Sequence, residues 1–185
     1  MPWWNKKIEE LSKGMQQKVQ FITTVVHQPK LLIFDEPFSG FDPINANLIK
    51  EEILQLKENG ATVIFSTHNM GSVEELCDNI ALINKSVKIE DGPTNEIRDK
   101  YKSNIFEIHY QGDFAKVHSA IDNRFKIIDH SENGHENYLR VQFITKTSNN
   151  ELLETILPVA NIISFEEIIP SMNEVFIKAI ENSNK

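Results

Sequence analysis

The apolar positions in the first third of the chain change their spacing where a predicted helix gives way to a predicted strand. From Ser12 they recur every three or four residues, which predicts a helix carrying on one face Met15, Val19, Ile22 and Val26. The apolar run 31–34 then leads directly into Asp35 and Glu36. A run this short, followed by a turn sequence, is typical of a strand buried on both faces of a parallel sheet.

A second helix and a second strand are predicted after this turn. Asp42 and Pro43 favour the N-cap and the first position of a helix, and Asn59-Gly60 is a stop signal. Its buried face is predicted to consist of Ile44, Leu48 and the group at 53–56. A β-branched run at 62–66 follows, so the chain predicts two parallel strands joined by a right-handed crossover.

Polar residues follow both of these strands. Asp35 and Glu36 end the first, and His68 follows the second. Ligands of open α/β sheets bind outside the carboxyl ends of the strands, so these side chains are candidates for chemistry. Ser12 and Gly14 are a second candidate, because unpaired N–H groups at a helix start favour an anion. Solvated strand ends and an ordinary capped helix are the alternatives.

The rest of the chain has a different order of elements. A short helix at 72–77 and two strands at 80–83 and 87–90 are followed by a polar helix or linker at 94–103. Alternating patterns then predict, in order, strand 105–110, helix 114–121, strands 125–130 and 138–145, helix 149–157, strand 162–168 and helix 171–180. This order is that of a small ferredoxin-like α+β domain. We therefore predict two domains, residues 1–102 and 103–185.

Composition and charge narrow the classes of function. The chain is 40% hydrophobic and 25% charged, as is typical of a globular protein. Its net charge of −8 argues against binding to nucleic acid, which depends on clustered lysine and arginine. The single cysteine, Cys77, excludes an internal disulfide. No apolar stretch has the length of a membrane helix, and the start lacks signal-peptide features, so we expect a cytoplasmic location.

Several motifs occur in an order that resembles one family. The family is the ATP-binding subunit of ABC transporters. Its signature loop is similar to Leu11-Ser12-Lys13-Gly14-Met15, and its Walker B strand is similar to residues 31–36. Its D-loop resembles residues 39–42, and its switch histidine resembles the end of Ser66-Thr67-His68. The ending 170–176, Pro-Ser-Met-Asn-Glu-Val-Phe, resembles that of exporter ATPases with an accessory C-terminal domain. The resemblance implies an α/β fold, the C-terminal half of a P-loop NTPase domain with parallel strands, followed by the α+β domain.

The resemblance implies roles for three residues at the strand ends. Asp35 would orient Mg²⁺, a hard cation that prefers oxygen ligands. Glu36 would polarise the water that attacks ATP, and His68 would contact the γ-phosphate. The other histidines are interpreted as structural or solvated, and no carboxylate pattern makes a metal site of His130 and His135.

The resemblance also implies partners. Ser12 and Gly14 would contact the nucleotide held by a second ATPase subunit, in a homodimer or heterodimer, and Asp42 would couple the two sites. Transmembrane permease subunits would hold the protein at the inner face of the membrane. The signature loop departs from the common Leu-Ser-Gly-Gly-Gln, because Lys13 and Met15 replace its first Gly and its Gln.

One element of the family's ATP site is missing from the sequence. The motif Gly-x-x-x-x-Gly-Lys-Ser/Thr, whose loop wraps the phosphates, does not occur among the 185 residues. We therefore expect a fragment of a longer ATPase, cut ahead of its signature loop, with Trp3 and Trp4 exposed. The chain alone is predicted to be inactive and to bind ATP weakly or not at all.

Two other functions stay open. One is an ABC-type ATPase without a transport role, acting for example on DNA or ribosomes. The other is a regulatory module that binds a ligand or a protein through residues 104–185. An insertion rich in basic residues would favour the first, and independent folding with ligand binding would favour the second.

Overall fold

The computed structural model describes residues 5–132 and 137–184. Trp3, Trp4 and His135, which the sequence singles out, lie outside the described residues. The chain divides into two compact units, residues 1–77 and 78–185, which are described separately below. The boundary predicted after residue 102 lies inside the second unit.

The first unit alternates helices with strands. A short 3₁₀ turn, Ile8–Glu10, precedes α1 (Lys13–Val25), β1 (Leu31–Asp35), α2 (Pro43–Glu58), β2 (Thr62–Ser66) and α3 (Met70–Leu76). The predicted caps are confirmed: the Ser12 hydroxyl accepts from the Met15 N–H, and the Asp42 carboxylate accepts from the Asn45 N–H. Helix α2 ends at the predicted stop, with Asn59 as its C-cap.

The two strands of the first unit are parallel, as predicted. Leu31 lies opposite Thr62 at the start of the pair, and Asp35 lies opposite Ser66 at its end. Helix α2 connects them. This register brings the carboxyl ends of β1 and β2 to the same edge of the sheet, so the residues that follow each strand lie close together.

The predicted burial of the first unit is wrong in part. Leu32 is only 2% exposed, but its neighbour Ile33 is 69% exposed, so β1 is not buried on both faces. In α2 the predicted Ile53 is buried, but the predicted Ile44 and Leu48 are 82% and 45% exposed, and Ile49 is buried instead. The physical reason is that neighbouring residues of a strand point to opposite faces of the sheet, and within the described part of the first unit only the face that carries Leu32 is covered.

The second unit begins with a hairpin and a short helix. Strands β3 (Asn79–Asn84) and β4 (Val87–Pro93) pair antiparallel through Lys85 and Ser86, which both have positive φ, as tight hairpin turns require. Helix α4 (Thr94–Lys100) follows, where the sequence predicted a helix or linker.

The ferredoxin-like order predicted for the C-terminal part is confirmed. It consists of β5 (Ile105–Gly112), α5 (Phe114–Ala120), β6 (Phe125–Glu132), β7 (Asn137–Phe143), α6 (Asn149–Ile156) and β8 (Ala160–Glu167). The strands form one antiparallel sheet in the order β6-β7-β5-β8. Alternate residues of the strands and one face of each helix form its core, which includes Ile108, Tyr110, Val117, Leu139, Val141, Leu152 and Ile156, each 0% exposed.

The final helix, α7 (Met172–Ser183), packs within the second unit against the segment around α4. Ser171 caps it and exchanges hydrogen bonds with Glu174 in a capping box. The Arg98 side chain donates to the Pro170 carbonyl oxygen over 2.9 Å, and Lys178 donates to the Ser103 hydroxyl over 3.0 Å. The motif at 170–176 therefore has a structural role in the second unit. Among the described residues, no helix combines the length and the apolar composition that a membrane span requires.

Candidate functional site

The candidate site lies at the edge of the first unit where β1 and β2 end. Asp35 is the last residue of β1 and Ser66 the last of β2, and the Ser66 hydroxyl donates to the Asp35 carboxylate. The next residue, Glu36, donates its backbone N–H to the Ser66 carbonyl oxygen over 3.0 Å. The main chain thus holds Glu36 beside the end of β2, from which the chain continues to His68.

The carboxylate of Glu36 is bound by the two residues that follow β2. Its Oε1 accepts from the His68 backbone N–H over 3.0 Å and lies 2.6 Å from His68 Nδ1. Its Oε2 accepts from the Thr67 hydroxyl over 3.2 Å. The Glu36 side chain is 35% exposed and that of His68 is 88% exposed, so both can be reached from solvent.

These contacts stabilise the charged form of Glu36. The hydrogen bond from the His68 side chain lowers the pKa of the Glu36 carboxyl below its ordinary value, and the contacts with the Thr67 hydroxyl and the His68 N–H act in the same direction. Glu36 is therefore an anion at neutral pH, held against an imidazole. A charged carboxylate in this position can accept a proton from, or orient, a molecule bound at the strand ends.

The lowered pKa of Glu36 predicts how stability depends on pH. Because the folded pKa lies below the unfolded one, the ionised carboxylate stabilises the fold above the unfolded value of about 4.5, and this contribution is lost as the pH falls through the folded pKa. Urea unfolding of the parent and of Glu36→Gln should therefore differ most near neutral pH and converge in acid. Glu58→Gln, on exposed helix surface, is the control. A difference that does not change with pH would contradict this prediction.

The turn after Glu36 leads to Asp42. Glu36 itself has a φ of 45°, and its carbonyl oxygen accepts from the Ser39 N–H over 3.0 Å. Asp42 accepts from the Asn45 backbone over 3.1 Å and from the Asn45 side chain, and these bonds lower the pKa of its carboxyl. In this structure Asp42 thus acts as a helix cap, joined to Glu36 by one short turn.

Ser12 and Gly14 are not part of this cluster. The Ser12 hydroxyl accepts from the Met15 N–H over 3.4 Å, and a Cβ on Gly14 would meet nothing within 4 Å. In residues 5–132 and 137–184, no hydrogen bond joins Ser12 or Gly14 to Glu36 or His68. The structure therefore brings Asp35, Glu36 and His68 together. The start of α1 at Ser12 and Gly14, here called the Ser12 turn, is not part of this cluster.

Sequence reasoning gave no role to three residues that organise the site. The motif Ser66-Thr67-His68 assigns no function to Ser66 and Thr67, yet their hydroxyls donate to Asp35 and Glu36. Aligning the two predicted strands in parallel pairs Asp35 with Ser66. The contact between the Ser66 hydroxyl and Asp35 is therefore predictable from the sequence. Gln17 donates through Nε2 to the Ser39 carbonyl oxygen over 2.8 Å, and no local sequence signal indicates this contact.

The oxygen atoms at this edge suit a magnesium ion. The Asp35 carboxylate and the Ser66 hydroxyl are both hard oxygen donors. Among the residues described by the structure, no group of three or more His, Cys, Asp and Glu side chains could hold a metal. Mg²⁺ commonly takes only one or two protein ligands and completes its shell with water and substrate phosphates, so these two oxygen donors fit that ion.

Two family models match the chain, one in each unit. Residues 92–180 match the ATP-binding protein DrrA1-3-like C-terminal domain, and residues 7–74 match the AAA domain described as a putative AbiEii toxin of a type IV toxin–antitoxin system. The first match covers the ferredoxin-like sheet and α7. The second covers the candidate site.

Two curated relatives match almost the whole chain, and a third matches part of it. An uncharacterized ABC transporter ATP-binding protein of Bacillus subtilis, YhaQ, is 37% identical over 95% of this chain and 57% of its own length. A similar protein of Alkalihalophilus pseudofirmus is 35% identical over 95% of this chain and 63% of its own length. A fluoroquinolones export ATP-binding protein of Mycobacterium tuberculosis is 36% identical over 61% of this chain and 38% of its own length. The chain thus spans about three fifths of the length of the first two relatives.

Proposed function

The chain belongs to the ABC transporter ATP-binding proteins, and we propose that residues 31–68 form the edge at which such a subunit hydrolyses ATP to drive transport. The observation that carries this function is the cluster at the ends of β1 and β2. Glu36 lies 2.6 Å from His68 Nδ1, and Asp35 ends the same strand that leads to Glu36. An acid pair beside an imidazole at the carboxyl edge of a parallel sheet is suited to act on a bound phosphate.

Asp35 is proposed to orient the metal. Its carboxylate, positioned by the Ser66 hydroxyl, would hold Mg²⁺ directly or through water. When bound, the ion supplies positive charge that offsets the charge developing on the phosphates. Asp35→Asn would remove the anionic ligand while keeping the hydrogen-bonding shape.

Glu36 and His68 are proposed to act on the attacking water and the γ-phosphate. The ionised Glu36 would orient the water and accept its proton, a role for which its lowered pKa keeps it unprotonated at neutral pH. His68, whose ring is largely exposed, would turn from Glu36 towards the phosphate and donate to it. The present contact between them keeps the two side chains together at the site.

Ser12, Gly14 and Asp42 are proposed to act across a pair of subunits. Ser12 caps α1 away from the Glu36 cluster, and the space beside Gly14 is open, so the end of this helix can receive an anion held by a second copy. Asp42, one turn beyond Glu36, would connect the two sites. The pair could be two copies of this chain or this chain with a related subunit.

The relatives support a proposal for the transport role, its direction and its partners. The relative from Mycobacterium tuberculosis is named as an export protein, and the second unit matches the C-terminal domain of a DrrA-like ATP-binding protein. We therefore propose export, powered through transmembrane permease subunits that hold this protein at the inner face of the membrane. The net charge of −8 supports this function over an ABC-type ATPase that acts on nucleic acid.

Nucleotide binding tests this function directly. We define the chimaera as this chain preceded by a phosphate-binding half-domain that carries Gly-x-x-x-x-Gly-Lys-Ser/Thr. The chimaera should bind Mg-ATP and double its mass in light scattering when ATP is present, because each copy supplies its Ser12 turn to the other. The 185-residue chain alone, whose sequence lacks this motif, should show no micromolar binding in calorimetry. A chimaera that fails to bind Mg-ATP, or a chain that binds it tightly alone, would contradict the assignment.

A further inference from the structure

The side-chain amide of Gln17 lies between helix α1 and the turn that carries Glu36. Its Nε2 donates to the carbonyl oxygen of Ser39, which is 22 residues further along the chain, over 2.8 Å. Its Oε1 is buried and accepts no hydrogen bond from any part of the chain that the structure describes. Within the described residues, the side-chain amide therefore makes a hydrogen bond through Nε2 and none through Oε1.

Stability alone does not account for glutamine at this position. A buried amide oxygen without a donor costs free energy, because it gives up its hydrogen bonds to water. The opposite orientation of the amide would place Oε1 against the Ser39 carbonyl oxygen, and neither atom can donate. An apolar side chain of similar volume would avoid this cost. What glutamine adds is the single bond from Nε2 to Ser39.

That bond acts on the main chain of Glu36. The Ser39 N–H donates to the Glu36 carbonyl oxygen over 3.0 Å, and the Glu36 N–H donates to the Ser66 carbonyl oxygen over 3.0 Å. Glu36 is thus fixed by β2 on one side and by Ser39 on the other. Gly40, with a φ of 81°, fits closely beside the amide, since a Cβ there would lie 3.1 Å from Gln17 Nε2.

We propose, on the basis of the function proposed above, that Gln17 is a positioning residue that couples the Ser12 end of α1 to the carboxylate of Glu36. Ser12 is the N-cap of α1 and Gln17 lies in its second turn, so the backbone hydrogen bonds of one continuous helix join them. A displacement of this end on contact with the partner's nucleotide is passed through Gln17 to Ser39 and on to Glu36. Nucleotide binding at the site that Ser12 contacts thereby affects the position of Glu36, which acts on water at the other site.

Amide hydrogen exchange, followed by NMR on the full chain, tests this coupling. Gln17→Met keeps the length of the side chain and removes both the donor and the unpaired oxygen. We expect the amides of Ser39 and of His68 to exchange about tenfold faster, while the urea midpoint is unchanged or higher. His68 is the informative amide, because it donates to Glu36 Oε1 and does not contact Gln17. Gln20→Met, on exposed surface of the same helix, should change neither amide.

Two results would overturn the coupling. One is that Ser39 and His68 keep the parent's exchange rates in Gln17→Met. The other is that all amides of the first unit accelerate together as stability falls, which would make Gln17 a structural residue only. Gln17→Leu, which also has no donor and buries no charge, replaces the Met variant if that variant fails to fold, with the same expectation. The measurement uses no nucleotide, so it can fail while ATP binding by the chimaera stands, and the reverse is equally true.

Discussion

Glu36→Gln lowers the rate of ATP hydrolysis by the chimaera at least about 100-fold, the size of effect expected when a general base is removed. Glutamine keeps the shape of the side chain and can still contact Thr67 and His68, but its amide cannot accept the proton of water. ATP binding is retained, because the phosphates are held by other groups. Phosphate release and retention of labelled ATP, measured on the same preparation, check both parts of this prediction.

Glu58→Gln is the matched control for this change. It removes one carboxylate from the exposed end of α2, in the same unit, and should leave the rate of hydrolysis unchanged. An unchanged rate in Glu36→Gln would remove Glu36 from its proposed role. Loss of both binding and hydrolysis would instead indicate that the first unit had not folded around the new side chain.

The local structure of the chain could be predicted from its sequence because the signals are local. Ser12, Asp42 and Ser171 each cap the helix that the pattern placed after them. The alternation of apolar and polar residues along 105–110 predicts strand β5, and the order of elements predicts the ferredoxin-like sheet. The structure confirms the antiparallel pairing of this sheet. The choice of Asp35, Glu36 and His68 as candidates follows from the rule that ligands bind at the carboxyl ends of parallel strands.

Burial and long-range contacts could not be predicted in the same way. Helical spacing groups Ile44 with Leu48 and Ile49 with Ile53, but it does not indicate which pair faces the sheet. The apolar run of β1 predicted two covered faces, yet coverage depends on which other elements pack there. The bond from Gln17 to Ser39 joins residues that are far apart in the sequence, and no pattern in either segment indicates it.

If the site is shared between two copies, two inactive variants can restore activity when they are mixed. A site contained within one copy does not allow this. In the symmetric pair proposed above, each site would combine the Glu36 of one subunit with the Ser12 turn of the other. Ser12→Asp keeps a good N-cap for α1 but places a carboxylate where the phosphate should bind. Chimaeras that carry only Ser12→Asp, or only Glu36→Gln, should therefore both be inactive as pairs of identical copies.

Hydrolysis by a mixture of these two variants tests the shared site most directly. A mixed pair has one site with both changes and one site with neither, so mixing equal amounts should restore up to about a quarter of the parent's rate when subunits pair at random. A mixture that stays as inactive as its separate components would contradict a site built from Asp35, Glu36 and His68 of one copy and Ser12 of the other.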